Sequence, residues 1–242
     1  MNIIARRFDK AAPHYDQAAD IQARIAQELI AWVMPLAPRN ILDIGCGTGF
    51  AAEAAARRWP QASITAMDAA PAMLRAAQAK LPDLKIIEGD ALRADIRPVF
   101  DTVFSSMMLH WLPQPREALR RWQGWLKPDG HLYVALPMEG SFREWRDLCR
   151  EEGLQDGLWR LPKADFADGI ARRMEHKTLS VTYSSAHAFL RYLKMIGAAT
   201  PHPAHEPVTA SRMRGLLGKA VKPFRVSYQI LYLEAAAVPG NL

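Results

Sequence analysis

Cysteine is scarce in this chain. Its 242 residues include only two, Cys46 and Cys149. Two cysteines cannot form the set of several disulfides that small secreted domains use, and neither stands in a CxxC or Cys/His pattern typical of metal sites. The sequence therefore predicts no disulfide framework and no metal-ligating residues.

Long apolar runs are absent as well. No segment reaches the roughly 20 apolar residues that a membrane-spanning helix needs. The first residues, MNIIARRFDK, contain no apolar core like that of a signal peptide. We expect no membrane contact and, by default, a cytoplasmic location.

The chain does have an excess of positive charge and enough apolar residues for one core. The formal net charge is +6, and 50% of the residues are hydrophobic. This length fits one α/β domain with insertions, residues 1–242. The charge favours an acidic partner or substrate, or weak binding to polyanions, although a merely soluble surface can have the same sign.

Predicted strands alternate with predicted helices over residues 41–137. The strands are ILDIG, SITAMD, LKIIEGD, FDTVFSSM and HLYVALP, and the helices are AAEAAARRW, PAMLRAAQAKL and REALRRWQGWL, the last one ended by a KPDG turn. This alternation predicts a parallel, doubly wound sheet with right-handed crossovers. Helical spacing also covers residues 4–33, with an interruption near Pro13.

Beyond residue 137 the pattern loosens. EWRDLCREEGL, HAFLRYLKMIG and SRMRGLLGKA have helical spacing, whereas KTLSVTYSS and FRVSYQILYLEA are typical of strands. The last two helical segments lie between the two strands, which predicts a helical insertion before the last strand.

A glycine loop follows the first predicted strand. Gly45, Gly47 and Gly49 stand at a strand-to-helix turn, where glycine permits unusual dihedral angles and close approach of a ligand. A G-x-G-x-x-G loop would hold a pyrophosphate at the helix N-terminus. This loop is G-x-G-x-G, and Asp43 precedes it within the strand end. A carboxylate there would repel a diphosphate, so the loop favours a cationic ligand.

Two further acidic residues end the next strands. Asp68 ends the second strand, where a carboxylate suits the two hydroxyls of a ribose. Asp90, in Gly89-Asp90-Ala91, ends the third strand and could accept from the exocyclic amine of an adenine. An ammonium group, a ribose and an adenine together describe S-adenosylmethionine.

Four motifs resemble those of the seven-stranded class I S-adenosylmethionine-dependent methyltransferases: DIGCGTG, MDAAPAML, EGDA and DTVFSSMMLHWL. The resemblance implies a Rossmann-like α/β sheet of order 3-2-1-4-5-7-6, with strand 7 antiparallel and FRVSYQILYLEA paired with KTLSVTYSS. It divides the chain into an N-terminal helical lid (1–38), a cofactor-binding core (39–137), substrate- and partner-binding helices with strand 6 (138–222) and a last strand (223–236). The implied cofactor-binding residues are Asp43, Gly45, Cys46, Gly47, Gly49, Asp68, Ala69, Met73, Asp90, Ala91, Ser105 and Gln22.

Segments outside this core narrow the resemblance. RRFDKAAPHYDQAADIQARIA, SSMMLHW, FLRYLKMIGAATPH, TASRMRGLL and VSYQILYLEA are similar to the malonyl-acyl carrier protein O-methyltransferases that begin pimelate assembly in biotin synthesis. Two positions depart from that family: Ser106 stands where Asn is usual, and DAAP replaces DLSP. RRWPQASITAMDAAPAMLRAAQAKLPDLKIIEGD is also similar to the trans-aconitate methyltransferases. Both alternatives form a methyl ester on a carboxylate.

Ester formation restricts the catalytic groups required. A carboxylate is already ionised at neutral pH, so no general base is needed, and catalysis reduces to positioning and exclusion of water. Arg is the natural ligand for the substrate carboxylate. SFREWRDLCR offers Arg143, Arg146 and Arg150, and Arg146 is favoured; a solvated basic face is the alternative.

Three further residues complete the predicted site. Trp111 is expected as a pocket wall or as ordinary core, and His110 as a structural residue. Tyr15, in FDKAAPHYD, is expected to donate from its hydroxyl to a carboxylate of the cofactor or substrate, with His14 and Gln22 as weaker candidates and Phe8 packing the helix down. A plain surface helix is the alternative. The predicted catalytic set is therefore Tyr15, Arg146 and Trp111.

The insertion before the last strand is basic. Its positive residues are Arg191, Lys194, Arg212, Arg214, Lys219 and Lys222. Because acyl carrier proteins are acidic, this insertion is expected to dock one, although a coenzyme A thioester or a free acid remains an alternative substrate form. An RNA methyltransferase would need stacking aromatics or an added module, and neither is evident. A non-catalytic cofactor-binding protein is a further alternative, and the sequence does not indicate an oligomeric state.

Overall fold

A computed structural model describes residues 2–34, 37–97, 99–202, 205–220 and 222–238. Its seven strands form one sheet. They are β1 (Asn40–Ile44), β2 (Ser63–Asp68), β3 (Lys85–Glu88), β4 (Phe100–Ser106), β5 (Leu126–Pro137), β6 (Arg173–Tyr183) and β7 (Phe224–Ala236).

The strand order is β3-β2-β1-β4-β5-β7-β6. Strands β1 to β5 run parallel to one another, and β7 is antiparallel to both β5 and β6. The predicted fold class, strand order and antiparallel last strand are therefore confirmed. Because β1 to β5 are parallel, the loops that follow them open at one edge of the sheet, where ligands bind in folds of this kind.

Eight helices surround the sheet in the described part of the chain. They are α1 (Ile3–Tyr15), α2 (Asp20–Trp32), α3 (Phe50–Arg58), α4 (Pro71–Lys80), α5 (Pro115–Gln123), α6 (Arg143–Glu151), α7 (Ala186–Met195) and α8 (Ala210–Lys219), with short 3-10 helices at Leu109–Trp111 and Ala164–Ala167. Helices α7 and α8 lie between β6 and β7, as the sequence predicts. None of the described helices is long and apolar enough to cross a membrane.

The predicted break near Pro13 is wrong by a few residues. Helix α1 continues through Pro13 to Tyr15, and the chain leaves helical structure at residues 16–19 before α2 begins. A proline in the last turn removes one backbone hydrogen bond close to the helix end, so the helix tolerates it there. At the other end the Asn2 side chain accepts from the Ala5 amide at 2.9 Å and caps α1.

The KPDG segment also differs from its prediction. It lies inside β5, which begins at Leu126, rather than forming a free turn after α5. Leu126 pairs with Phe100, and the pairing register shifts before Thr102, so the segment contains an irregularity in the β4–β5 ladder. Lys127 secures the irregular segment through an ion pair with Asp101 at 2.9 Å.

Apolar side chains cover both faces of the sheet. One core includes Ile25, Leu29 and Phe104. The other contains Trp122, which is fully buried together with Val103. These two cores hold β1 and β4 between helices, which fixes the positions of the loops that leave their carboxyl ends.

Candidate active site

The glycine loop after β1 forms the floor of the larger of two adjoining cavities. Gly45 and Gly47 both line it, with φ angles of 66° and 54° in the left-handed region. A Cβ atom at Gly45 would collide with the Met108 side chain, whereas one at Gly47 would have no atom within 4 Å. The backbone at Gly47 is therefore open to close approach by a ligand.

Gly49, the third glycine of the loop, lies away from both cavities. It precedes α3 with φ 90°. A Cβ at Gly49 would lie 3.0 Å from the Cβ of Ala77 in α4. The third glycine therefore permits close packing of α3 against α4.

Asp43 is buried at the end of β1 and lines the larger cavity. One carboxylate oxygen accepts from the Ala52 amide at 3.1 Å, and the other has no hydrogen-bond partner among the described residues. Burial raises the pKa of Asp43 to about 7, and the charge of Asp68 adds to the shift. A buried acceptor left unpaired is costly, so the geometry favours a ligand donor at this oxygen.

Asp68, at the end of β2, is anchored by backbone amides. One oxygen accepts from Gly47 at 2.9 Å and the other from Ala70 at 2.8 Å. The Ala69 amide also hydrogen-bonds this carboxylate, and because a carboxylate has about four lone-pair sites, Asp68 can still accept from a ligand. Ala69 and Met73 line the same part of the cavity, as do Asp90 and Ala91 after β3.

The structure does not place the Ser105 side chain at either cavity. Ser105 is fully buried, and its hydroxyl donates to the Ile44 carbonyl at 3.0 Å. Its neighbour Ser106 lines the larger cavity, with a hydroxyl that has no partner among the described residues. Successive side chains on a strand point to opposite faces, so a one-residue error exchanges a cavity residue for a core residue.

The first two helices lie over this cavity. Phe8, Tyr15 and Gln22 all line it, and the Phe8 ring meets the Trp111 ring edge-to-face at 5.7 Å. His14, the other candidate on α1, is exposed and lines neither cavity. Burial raises the pKa of the Tyr15 hydroxyl, so this group stays protonated and able to donate.

A second, smaller cavity adjoins the first. The residues that line only this smaller cavity are mainly apolar and aromatic: Pro137, Phe142, Leu158, Trp159, Leu161, Leu193, Ile196 and Ala198, with His110, Tyr192 and Tyr228. Five residues line both cavities: Phe8, Tyr15, Gln22, Met107 and Trp111. We call these five the junction. Predicted residues Tyr15, Gln22 and Trp111 are thus brought together.

The guanidinium of Arg146, predicted to bind the substrate carboxylate, is already bound to groups of the protein. Its guanidinium donates to the Ser141 carbonyl at 3.3 Å, pairs with Asp156 at 2.9 Å and donates to the Trp159 carbonyl at 3.0 Å. Arg146 lines neither cavity. It instead holds the segment that supplies Trp159 to the smaller cavity.

The other two arginines of α6 lie on the surface. Arg143 and Arg150 have side chains that are 79% and 74% exposed, and both pair with Asp147. Within the described ranges, no Lys or Arg lines either cavity. Burial lowers the pKa of His110 to about 3, so this residue is neutral as well. The smaller cavity is therefore uncharged, whereas the larger one carries Asp43, Asp68 and Asp90.

Several cavity residues carry no signal in the sequence. Trp159 belongs to an irregular segment, and its indole donates to the Thr200 carbonyl at 3.0 Å. Tyr192 lies on the apolar face of α7, where its spacing predicts ordinary core.

Among the residues that the structure describes, no group of three or more His, Cys, Asp or Glu side chains could hold a metal ion.

Known proteins match the chain over most of its length. A family model described as a methyltransferase domain matches residues 42–134. A malonyl-acyl carrier protein O-methyltransferase of Magnetococcus marinus is 33% identical, with coverage of 95% of this chain and 90% of that protein. A trans-aconitate 2-methyltransferase of Rhodopseudomonas palustris (strain BisB5) is 37% identical over 78% of this chain and 80% of that protein.

The biotin biosynthesis bifunctional protein BioCD of Bordetella avium is 34% identical over 95% of this chain. The chain spans about half of that relative, 51% of its length. Among solved structures, the YcgJ protein of a Bacillus shares the fold at TM-score 0.62 and 15% identity, covering 90% of this chain and 99% of that one. Phosphoethanolamine N-methyltransferase 2 of Haemonchus contortus, solved with S-adenosyl-L-methionine, aligns at TM-score 0.56 and 16% identity, covering 95% of this chain and 57% of that one.

The residues of the larger cavity fit S-adenosylmethionine. The unpaired oxygen of Asp43 can accept from an ammonium group, Asp68 can accept from ribose hydroxyls, and the open space at Gly47 admits a ligand against the backbone. We call the larger cavity the cofactor cavity and the smaller one the acceptor cavity. The chain is an S-adenosylmethionine-dependent methyltransferase of class I, and it belongs to the family that includes the malonyl-acyl carrier protein O-methyltransferases.

Proposed function

We propose that the chain forms a methyl ester on the free carboxylate of a malonyl thioester, with malonyl-acyl carrier protein as its substrate. The relatives of that name support this function. The observation that carries it is the absence of cationic side chains around the acceptor cavity, within the described part of the chain.

An uncharged cavity favours a substrate with one carboxylate. Burying an ionised carboxylate is costly unless hydrogen-bond donors or cations compensate it. The junction offers three neutral side-chain groups that can donate: the Tyr15 hydroxyl, the Gln22 amide and the Trp111 indole. These can serve the single carboxylate of a malonyl thioester, whose thioester end is neutral. Three carboxylates on one small molecule would exceed them.

A free tricarboxylate is the second candidate. The trans-aconitate 2-methyltransferase of Rhodopseudomonas palustris is the more identical of the two relatives, at 37%. In that case the acid would arrive free, and cationic groups would have to come from outside the described acceptor cavity.

The proposed mechanism is positioning in a cavity that excludes water. When bound, S-adenosylmethionine supplies an electrophilic methyl group on a positively charged sulfur. Tyr15 and Gln22 hold the carboxylate at the junction, and Trp111 and Phe8 close the space around it. The carboxylate needs no base, because it is ionised at neutral pH. Alignment of this kind can supply roughly 7–11 kcal/mol of rate enhancement.

We infer that α1 and α2, within residues 1–38, act as a lid over the cofactor cavity. The Asp9 carboxylate accepts from the Ala72 amide at the start of α4 at 2.7 Å. The Asp16 carboxylate accepts from the Thr48 hydroxyl at 2.5 Å and pairs with Lys80 at 2.5 Å. These contacts tie the end of α1 to the glycine loop and to α4.

The basic side chains of α7, of α8 and of the segment that follows α8 are proposed as the docking face for the carrier protein. Arg191, Lys194, Arg212, Arg214, Lys219 and Lys222 are all exposed. Helix α7 also supplies Tyr192 and Leu193 to the acceptor cavity, so a partner bound here could deliver a tethered malonyl group to it. Charge complementarity would increase the rate of association.

The test is to supply S-adenosylmethionine with each acceptor separately: malonyl-acyl carrier protein, malonyl-coenzyme A, trans-aconitate and RNA. Mass spectrometry should find the mass of one added methylene on the malonyl group. Alkaline hydrolysis should remove this added mass, because it cleaves the methyl ester. Ester on trans-aconitate alone would select the second candidate. Methyl groups on RNA with no ester on any acid would overturn both.

A further inference from the structure

Two buried tyrosines, Tyr192 and Tyr228, and the half-buried Tyr183 form a row of hydroxyl groups behind the junction. The Tyr183 hydroxyl on β6 lies 2.9 Å from the Tyr228 hydroxyl on β7, and both interact with the hydroxyl of Tyr192 on α7. Tyr192 in turn donates to the side-chain oxygen of Gln22 at 3.1 Å. This row therefore runs from the edge of the sheet to a junction residue.

We propose that Tyr192, supported by Tyr228 and Tyr183, orients the Gln22 amide so that its NH2 group binds the substrate carboxylate. Because the Tyr192 hydroxyl already donates to Oε1 of Gln22, the two N–H groups on Nε2 of Gln22 are left to bind another acceptor. No described residue accepts from Nε2, and this atom is not among the fully buried, unpartnered atoms, so it has access to the cavity. The inference rests on the proposed function and names the residue that recognises its carboxylate.

The position of Gln22 agrees with this role. Gln22 is 8% exposed and lines both cavities, so its amide stands where a methyl group must pass from one to the other. The substrate oxygen that receives the methyl group has to lie at this junction. Without Tyr192, the amide of Gln22 could rotate and present its oxygen, which would repel a carboxylate. Burial raises the pKa of all three tyrosines, so their hydroxyls remain neutral donors at ordinary pH.

The experiment measures binding by calorimetry to the chain in the presence of S-adenosylhomocysteine. The probes are malonyl-coenzyme A and acetyl-coenzyme A, which differ in the carboxylate. We expect the wild-type chain to prefer the malonyl probe. Gln22→Leu should weaken malonyl binding roughly tenfold to hundredfold, because it removes a hydrogen bond to a charged group. Tyr192→Phe should weaken it by about threefold to tenfold, with acetyl binding unchanged in both variants.

A double-mutant cycle separates orientation from general packing. If Tyr192 acts through Gln22, then Tyr192→Phe has no further effect in the Gln22→Leu background. The matched control is Tyr232→Phe, another fully buried tyrosine of β7, whose hydroxyl donates to Glu28 at 2.9 Å. It should leave malonyl binding unchanged. A full additional loss in the double variant, or an intact malonyl preference in Tyr192→Phe, would overturn the proposal.

The proposed function can fail separately. A wild-type chain with no malonyl preference that methylates trans-aconitate refutes the malonyl substrate. The same variants are then measured with trans-aconitate. If Tyr192→Phe lowers the affinity for trans-aconitate as well, the three tyrosine hydroxyls support carboxylate recognition. An unchanged affinity for trans-aconitate overturns the proposal.

Discussion

At the scale of single residues, Asp43 connects the fold to cofactor binding. It is a buried carboxylate with one unpaired oxygen. Burial raises its pKa in the folded chain to about 7, from an ordinary value of 3.8, so between these two pH values the folded chain holds a proton that the unfolded chain has lost. The contribution of this group to the free energy of unfolding therefore falls as the pH rises from about 4 to about 7. A cationic ligand reverses that loss by favouring the ionised form.

We predict that S-adenosylmethionine binds more tightly at pH 7.5 than at pH 6, by about fivefold. Asp43 gains its charge over this range, while the ligand's amino group, with a reference pKa of roughly 7.7–8.0, remains largely protonated. Calorimetry at the two pH values measures the effect. Asp43→Asn should bind weakly at both, with no such rise. Equal wild-type affinities would contradict this role of Asp43.

The glycines of the loop give a second prediction at this scale. Gly49→Ala forces a Cβ to 3.0 Å from Ala77 at φ 90°, so we expect Tm to fall by roughly 3–8 °C. Gly47→Ala meets no atom of the protein, so its Tm should fall less and its cofactor affinity should fall about tenfold or more. Thermal unfolding and calorimetry on both variants provide the comparison. Equal changes in Tm and in cofactor affinity for the two variants would refute a packing role for Gly49 and a cofactor contact at Gly47.

Residue-level prediction from the sequence succeeds where a motif fixes the backbone. Asp43, Asp68 and Asp90 end strands at the same edge, and all three line one cavity. The structure departs from it at Ser105 and Arg146, whose side chains line neither cavity. A strand motif does not specify which of two adjacent serines faces the ligand, and residue type does not reveal that Asp156 already binds the arginine.

At the scale of elements, the attachment of α1 to the core is the feature that could control access. Thr48 is 1% exposed, and its hydroxyl donates to the Asp16 carboxylate, whose side chain is 41% exposed. The ion pair of Asp16 with Lys80 is more exposed and contributes little. The Thr48 contact is therefore the stronger of the two.

We predict that Asp16→Ala loosens the lid. Amide hydrogen exchange over Ile3–Tyr15 should quicken, and S-adenosylmethionine should dissociate about threefold to thirtyfold faster, because a hydrogen bond to a charged group is lost. Lys10→Ala, an exposed change on the same helix, serves as the control. Unchanged exchange in Asp16→Ala would show that Asp16 does not hold the helix.

The periodic elements could be predicted from the sequence, and the irregular ones could not. Strands β1 to β4 and helices α3 and α4 follow clear apolar patterns and turn signals. The wall of the acceptor cavity comes in part from residues 158–161, which have no regular structure. Tertiary contacts such as those of Arg146 and Asp156 hold that segment, and these leave no periodic pattern.

At the scale of the whole molecule, charge is distributed unevenly. The acceptor cavity is neutral, the cofactor cavity is acidic, and the exposed faces of α7 and α8 are basic. This distribution suits a cationic cofactor and a substrate on an acidic carrier. Surface charges of this kind act mainly on the association rate and are screened by salt.

We predict that Arg191→Glu with Arg214→Glu raises KM for malonyl-acyl carrier protein about tenfold at low salt. KM for malonyl-pantetheine, which has no carrier protein, should stay within about twofold. Raising the ionic strength should narrow the difference between variant and wild type. Lys85→Glu, on edge strand β3 at the opposite end of the sheet, is the control. Equal losses for both substrates would argue against a carrier-docking face.

The most direct test of the neutral acceptor cavity is competition between the two acids. Malonyl-acyl carrier protein and trans-aconitate are mixed at equal concentration with limiting methyl-labelled S-adenosylmethionine, and the two esters are counted by mass spectrometry. Their ratio is the ratio of kcat/KM values. We predict malonyl ester in excess by about a hundredfold or more. An equal ratio, or an excess of aconitate ester, would contradict a cavity built for one carboxylate.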